Sequence, residues 1–177
     1  FTLVGLGDRA VEESRERVRS ALINIKADFP AKRITVNLAP ADLPKEGPAY
    51  DLPIALGILI ADGQLATDLS DTLVVGELSL DGGLRSTHGI LSFAVLAKSL
   101  GLKRIFVPKD NAVEAAIVEE LEVYPFEGLL QVFKFLTGNL EISPQPPTAF
   151  GEGKETIFEY DFKDIKGQEQ ARRALEI

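Results

Sequence analysis

Residues Ile34 to Leu59 read ITVNLAPADLPKEGPAYDLPIALGIL. Arg33–Leu38, rich in β-branched residues, predicts a strand. Pro40, Pro44 and Pro48 then stiffen a loop, and Gly47 relieves it. Asp51 followed by Leu52-Pro53 predicts a helix start, with the Asp51 side chain capping free N–H groups and Pro53 in the first turn. The helix is expected to reach about Ala61, where Asp62-Gly63 stops it. Asp42, Lys45, Glu46 and Asp51 crowd this loop with charge. Two readings stay open: a rigid turn, or a platform whose fixed geometry positions chemistry or a partner.

Working outward, Phe1–Leu6 predicts a short strand and Ala10–Lys26 a helix. That helix puts Val11, Val18, Ala21, Leu22 and Ile25 on one face, and Glu12, Glu13, Glu16, Arg15, Arg17 and Arg19 on the other. Thr72–Leu80 reads as one strand, Asp81-Gly82-Gly83 as a tight turn, and Leu84–Ser86 as a brief return. A helix over Gly89–Leu100, a strand over Arg104–Val107, a short helix over Asn111–Val118, a strand over Leu121–Tyr124 and a helix over Gly128–Leu136 follow. Strands alternating with helices predict a layered α/β (α+β) domain with at least some parallel pairing.

The chain has 177 residues, no cysteine, no methionine and one histidine. Disulfides, thiolate metal sites and His-rich metal sites are therefore excluded, and a cytosolic setting fits. No run approaches the roughly 18 apolar residues that span a bilayer. A net charge of −8 gives no overall attraction to a phosphate backbone, so nucleic-acid contact would rest on a local basic patch. After Gly138 the texture changes: Ser143–Gly153 (SPQPPTAFGEG) reads as a linker. Residues 139–157 are accordingly taken as linker, and 158–177, helical from about Gln168, as the first elements of a second domain in a longer protein.

Several motifs favour their plainer readings. Gly5-Leu6-Gly7-Asp8-Arg9-Ala10 matches G-x-G-x-x-A, but the next strand does not end in the acid that would hold a ribose. It reads as a tight strand-to-helix turn. Gly151-Glu152-Gly153-Lys154 resembles the end of a P-loop, yet the required upstream glycine is Thr148 and Glu155 follows the lysine. His88 has no second histidine or cysteine to share a metal. The helix arginines alternate with glutamates, the pattern of a solvated, ion-paired face. Lys32 and Arg33 add local positive charge, and with Arg15 and Arg19 they are the candidate nucleic-acid contacts; Asp42, Lys45 and Glu46 are the candidate partner contacts.

The run from Ile34 to Gly47, with Asp51-Leu-Pro-Ile-Ala-Leu-Gly57, resembles the N-terminal domain of ComM/YifB proteins, the magnesium-chelatase-like AAA+ ATPases. Val4-Gly5-Leu6, Glu13–Arg19, Gly76–Gly82 and Val107-Pro108 continue the match across residues 1–138. Asp161–Leu175 is similar to the opening of the AAA+ module in that family, which implies that Ile165 and Gly167 match the edge of an adenine pocket completed elsewhere in the longer protein. The domain also resembles, more distantly, the proteolytic domain of Lon and the C-terminal domain of RadA. That implies a Lon-protease-like mixed sheet packed with helices, and a strand preceding Phe1 that pairs with Phe1–Leu6.

In Lon the matching loop presents a nucleophilic serine; here Pro44–Ala49 puts Ala49 at that place. The general-base lysine position falls at Leu91, give or take one residue. A Ser–Lys dyad needs an activatable hydroxyl with a base in hydrogen-bond reach, and both are absent. The resemblance implies a cytoplasmic hexameric motor that uses ATP and Mg2+ in DNA branch migration and recombination during DNA uptake. This domain would then serve ring assembly, or DNA or partner contact, beside the AAA+ module of its own chain. Two alternatives are a Lon-like serine peptidase with a non-standard site and a subunit of a metal-chelatase complex.

Overall fold

A computed structural model describes residues 1–5, 7–149 and 166–175. The chain opens with β1 (Thr2–Val4), α1 (Arg9–Asn24), β2 (Thr35–Asn37) and, after a 3-10 turn at Pro48–Tyr50, α2 (Asp51–Ala61). Then come β3 (Thr72–Val74), β4 (Glu77–Leu78), β5 (Leu84–Arg85), α3 (Ile90–Ser99), β6 (Arg104–Pro108), α4 (Ala112–Ala115), β7 (Glu122–Phe126), α5 (Leu129–Leu136) and α6 (Glu169–Leu175). The α/β class expected from the alternation of elements is the one observed. β1 and β2 pair in parallel across α1, with Leu3 opposite Val36. β3, β6 and β7 form a parallel sheet in that order, with Ile105 opposite Leu73 on one side and Val123 on the other. β4 and β5 make an antiparallel hairpin, so the sheets are mixed.

The strand expected over Thr72–Leu80 is two strands in two sheets. Gly76 explains the break. Its N–H donates to the Ala49 carbonyl at 3.0 Å, and its carbonyl accepts from the Leu52 N–H at 3.0 Å. Both backbone groups are thus committed to the start of α2 rather than to a strand neighbour. A Cβ at this position would meet Leu84 Cδ2 at 2.8 Å, so any larger residue there would have to displace the end of the Leu84 side chain.

The parallel sheet is covered on both faces, so its central strand reads as an unbroken apolar run. Phe106 points into a core built by α1, α2 and α5, with Leu22, Leu52, Leu56, Leu59, Leu78 and Phe126 fully buried. Its ring stands edge-on to Phe126 at 5.0 Å and Phe135 at 5.8 Å. Ile105 and Val107 point the other way, into a second core with Ile90, Ala94 and Ala112. The proline-rich run after α5 begins as a strap on this body: the Gln145 N–H donates to the Val123 carbonyl at 2.8 Å, and the Thr148 N–H to Ala116 at 2.9 Å. Gly151–Lys154 lies outside the described residues.

The N-cap role predicted for Asp51 is a misreading. The 3-10 turn runs straight into α2, so the Asp51 N–H donates to the Pro48 carbonyl and the Leu52 N–H to Gly76. The Asp51 side chain is free to turn inward, with an exposure of 0%. It accepts from Arg17 Nε at 2.6 Å, Arg17 Nη2 at 3.1 Å and the Leu78 N–H at 3.1 Å. Arg17 also donates to the Ala10 carbonyl at 2.8 Å. One fork-to-carboxylate pair therefore joins α1, α2 and β4. Arg17, assigned from sequence to the solvated face, leaves it for this pair. Asp51 bonds first, then nearby carboxylates, reinforce the charged form of Arg17; burial pushes the Asp51 carboxyl up, against the pull of Arg17 and the Leu78 N–H.

Breaking such a pair from one side leaves a buried charge without compensation, at a cost of about 3–5 kcal/mol. Arg17→Leu is therefore expected to destabilise the chain by about that amount in urea unfolding. The double variant Arg17→Met/Asp51→Leu is expected to recover most of the loss, because it removes both charges together.

Candidate functional site

The loop between β2 and α2 is fastened at three places. Asp8 caps α1, with Oδ1 accepting from the Val11 N–H at 2.8 Å. Its Oδ2 accepts from the Gly47 N–H at 3.0 Å, and its own N–H donates to the Lys45 carbonyl at 3.0 Å. Gly7 and Lys45 add a parallel bridge. The start of α1 and the loop are thus one structure, and the carboxylate lies where a nucleotide phosphate would meet a helix N-terminus. The turn reading of Gly5–Ala10 agrees with this geometry: Gly5 has φ +106°, and a Cβ at Gly7 would meet Val11 Cγ1 at 2.7 Å.

Lys45 turns inward. It is 6% exposed, and its ammonium donates to the Pro40 carbonyl. That arrangement braces the loop from within and does not offer the charge to a partner. Asp42 and Glu46 are exposed on the same loop. Ala49 is buried, with its carbonyl engaged by Gly76. Leu91 stands in the first turn of α3, half-buried, and its N–H donates to Glu114 Oε1 at 3.0 Å. Neither Ala49 nor Leu91 carries a nucleophilic or basic atom. Lys98, further along α3, pairs with Glu120 at 3.3 Å.

The basic candidates fall in two places. Arg15 and Arg19 are exposed on α1; Arg15 pairs with Glu16 at 3.3 Å, and the Arg19 guanidinium lies 5.4 Å from the Phe29 ring centre. Lys32 and Arg33 are exposed just before β2, and Lys32 reaches Asp62 at 3.4 Å. Gly167 is exposed with φ +74°, and Ile165 lies outside the described residues.

Sequence reasoning missed Asp8, whose second carboxylate oxygen reaches across 39 positions to Gly47. The N-cap position before α1 was the available signal, but it points only to the first oxygen. It also missed a buried reciprocal pair that holds the turn before α3: the Thr87 N–H donates to Asn111 Oδ1 at 2.8 Å, and Asn111 Nδ2 donates to the Thr87 carbonyl at 3.0 Å. His88, the histidine beside it, is exposed, and no group of three or more metal-ligating acids or histidines occurs among the described residues.

Part of the chain is similar in sequence to Lon proteases. Lon protease 1 of Syntrophobacter fumaroxidans is 29% identical over 124 residues, covering 67% of this chain and 15% of that protein. A family model described as subunit ChlI of Mg-chelatase matches residues 1–111, and the chain belongs to that family. It is 47% identical over 184 residues to competence protein ComM of Haemophilus influenzae, covering 100% of this chain and 35% of ComM. It is 44% identical over 178 residues to the uncharacterized protein YifB of Escherichia coli K12, covering 100% of this chain and 34% of YifB. The chain thus spans about a third of the length of these relatives.

Two outcomes follow from the site. The Gly47 N–H first, then the Val11 N–H, hold the Asp8 carboxyl below the ordinary value of about 3.9. The folded chain binds that proton less readily than the unfolded one, so the stabilisation is complete above about pH 4 and is lost as pH falls through the lower native value. Asp8→Ala is therefore expected to melt below wild type at pH 7, with the gap closing as the pH drops below about 4 in calorimetry. A fluorophosphonate probe is expected to label neither the wild-type chain nor Ala49→Ser, since a serine restored without a base at Leu91 stays unactivated.

Proposed function

We propose that this chain is the non-catalytic N-terminal domain of a ComM-type, magnesium-chelatase-like AAA+ ATPase. One observation supports the reading above others: the loop keeps its fastenings at Asp8, Lys45 and Asp51, while Ala49 and Leu91 supply no reacting atoms. A scaffold held this firmly without chemistry suits assembly or contact. In this reading residues 1–138 form the domain, 139–157 the connection and 158–177 the beginning of the ATPase module. The longer protein acts in the cytoplasm as a hexamer in DNA branch migration and recombination during DNA uptake. Among the described residues, no helix is long and apolar enough to cross a membrane.

ATP and Mg2+ belong, in this reading, to the ATPase module. Ile165 and Gly167 would edge the adenine pocket of that module, and Gly167 is exposed just before α6. Arg15, Arg19, Lys32 and Arg33 are the exposed cations for a DNA contact, against a net charge of −8. A second reading, a subunit of a metal-chelatase complex, is favoured by the description of the matching family.

The test compares the longer protein with and without residues 1–138, in ATP and Mg2+. ATP hydrolysis stimulated by branched DNA, with ring formation in sedimentation lost on removing the domain, is the expected result. Hydrolysis indifferent to DNA but stimulated by a porphyrin and Mg2+ would turn the assignment to the chelatase reading. An anisotropy titration of residues 1–177 with single-stranded, duplex and branched DNA over a salt series separates the two contact roles. Salt-insensitive or absent binding assigns the domain to assembly or to a protein partner.

A further inference from the structure

α2 is apolar on all sides after Asp51, the composition of a helix surrounded by protein. One side meets the core through Leu52, Leu56 and Leu59. On another side Gly57 and Ala61 are exposed and Pro53 is half-buried. Between that side and β2 runs a groove of about 520 Å³, floored by Ile54 and Ile58 and walled by Ile34 and Val36. Gly57 sits mid-helix, where glycine costs roughly 1 kcal/mol against alanine. A Cβ there would meet nothing within 4 Å, so core packing does not require the glycine. What its absence of side chain provides is close approach along the groove.

The strand beside the groove has an open edge. In the parallel ladder, the Thr2 N–H donates to the Ile34 carbonyl and the Leu38 N–H to the Val4 carbonyl. Ile34, Val36 and Leu38 therefore face β1, and the backbone groups of Thr35 and Asn37 face away from it. β2 pairs with no other strand among the described residues. At its start stand Lys32, paired with Asp62 of the groove lining, and Arg33, which has no ion pair among the described residues, so this end keeps one uncompensated positive charge on an acidic chain. The other end reaches Tyr50, next to Ala49.

We infer that this groove docks an extended polypeptide segment of a partner protein, which adds as a strand to the free edge of β2, seats alternate apolar side chains against α2 over Gly57, and sets an acidic residue against Arg33. Backbone bonds to Thr35 and Asn37 supply affinity, the apolar floor selects alternate side chains, and the basic end sets polarity. The inference rests on the non-catalytic reading of the loop: the bound segment runs toward Ala49 and stays whole.

The probe is a fluorescein-labelled peptide of alternating valine and threonine with two aspartates at one end, titrated into residues 1–177 and followed by anisotropy. Saturable binding is expected, weakened at least about ten-fold by N-methylation of alternate peptide nitrogens and by Gly57→Leu. Leucine favours the helix over glycine, so this variant is expected to melt no lower than wild type. Replacing the aspartates by lysines, or Arg33→Glu, is expected to weaken binding several-fold. No binding, or binding indifferent to Gly57→Leu, overturns the inference. So does a concentration-dependent dimer in sedimentation that Gly57→Leu abolishes, since the occupant is then a second copy. If residues 1–177 take the peptide and the longer protein does not, the groove belongs to another segment of its own chain and the partner assignment falls. Equal competition by oligothymidylate assigns the face to nucleic acid instead. Mass spectrometry of the recovered peptide keeps the two readings apart: a shortened peptide refutes the non-catalytic reading while docking stands.

Discussion

The Asp51 carboxylate has no access to solvent and lies within hydrogen-bond reach of three N–H groups, two from Arg17 and one from Leu78. The rest of the domain is arranged around that fact. A buried charge tolerates few geometries, because each displaced donor leaves it under-solvated. α1 must therefore present Arg17 at one height, α2 must begin at one residue, and β4 must pass at one distance. Apolar contacts between α1 and α2 would permit sliding; the two-pronged bond does not. Such pairs add little net stability over well-packed apolar residues, so what this one contributes is alignment.

That alignment fixes the loop that precedes α2. Its far end is set by Asp51, Asp8 holds it at Lys45 and Gly47, and the Lys45 ammonium ties it back to Pro40 near its start. Gly76 ties the same turn to the strand behind it through both of its backbone groups. A loop so fully bonded has little freedom to close over a ligand. It fits a surface that presents one shape, and the proposed contact role rests on that rigidity. The groove beside β2 extends that shape along the exposed side of α2.

Much of the fold was legible from local pattern. The apolar face of α1, the β-rich run at β2, the uncharged stretch of α2 and the glycine stops gave elements close to those observed, since each depends on residues a few positions apart. The single strand expected over Thr72–Leu80 failed because periodicity does not reveal where a backbone group finds its partner, and Gly76 finds its partners at Ala49 and Leu52. Asp51 was misread for a related reason. Its position before Leu52-Pro53 is that of a cap, but the 3-10 turn ahead of it satisfies the helix start and frees the carboxylate for Arg17. Lys45 carries a charge that reads as surface, and only the fold turns it onto Pro40.

The amino-acid sequence by itself determined the α/β alternation, the stiffness of the 40–51 loop and the lack of a nucleophilic or basic side-chain atom at Ala49 and Leu91, because these follow from residue identity and short-range backbone preference. The tertiary structure alone decided that Arg17 meets Asp51 across 34 positions and that Asp8 holds Gly47 across 39. It alone left one edge of β2 open beside an apolar groove. Each of these depends on which distant segments are brought together, and a buried polar group selects its partner by position in space rather than by distance along the chain.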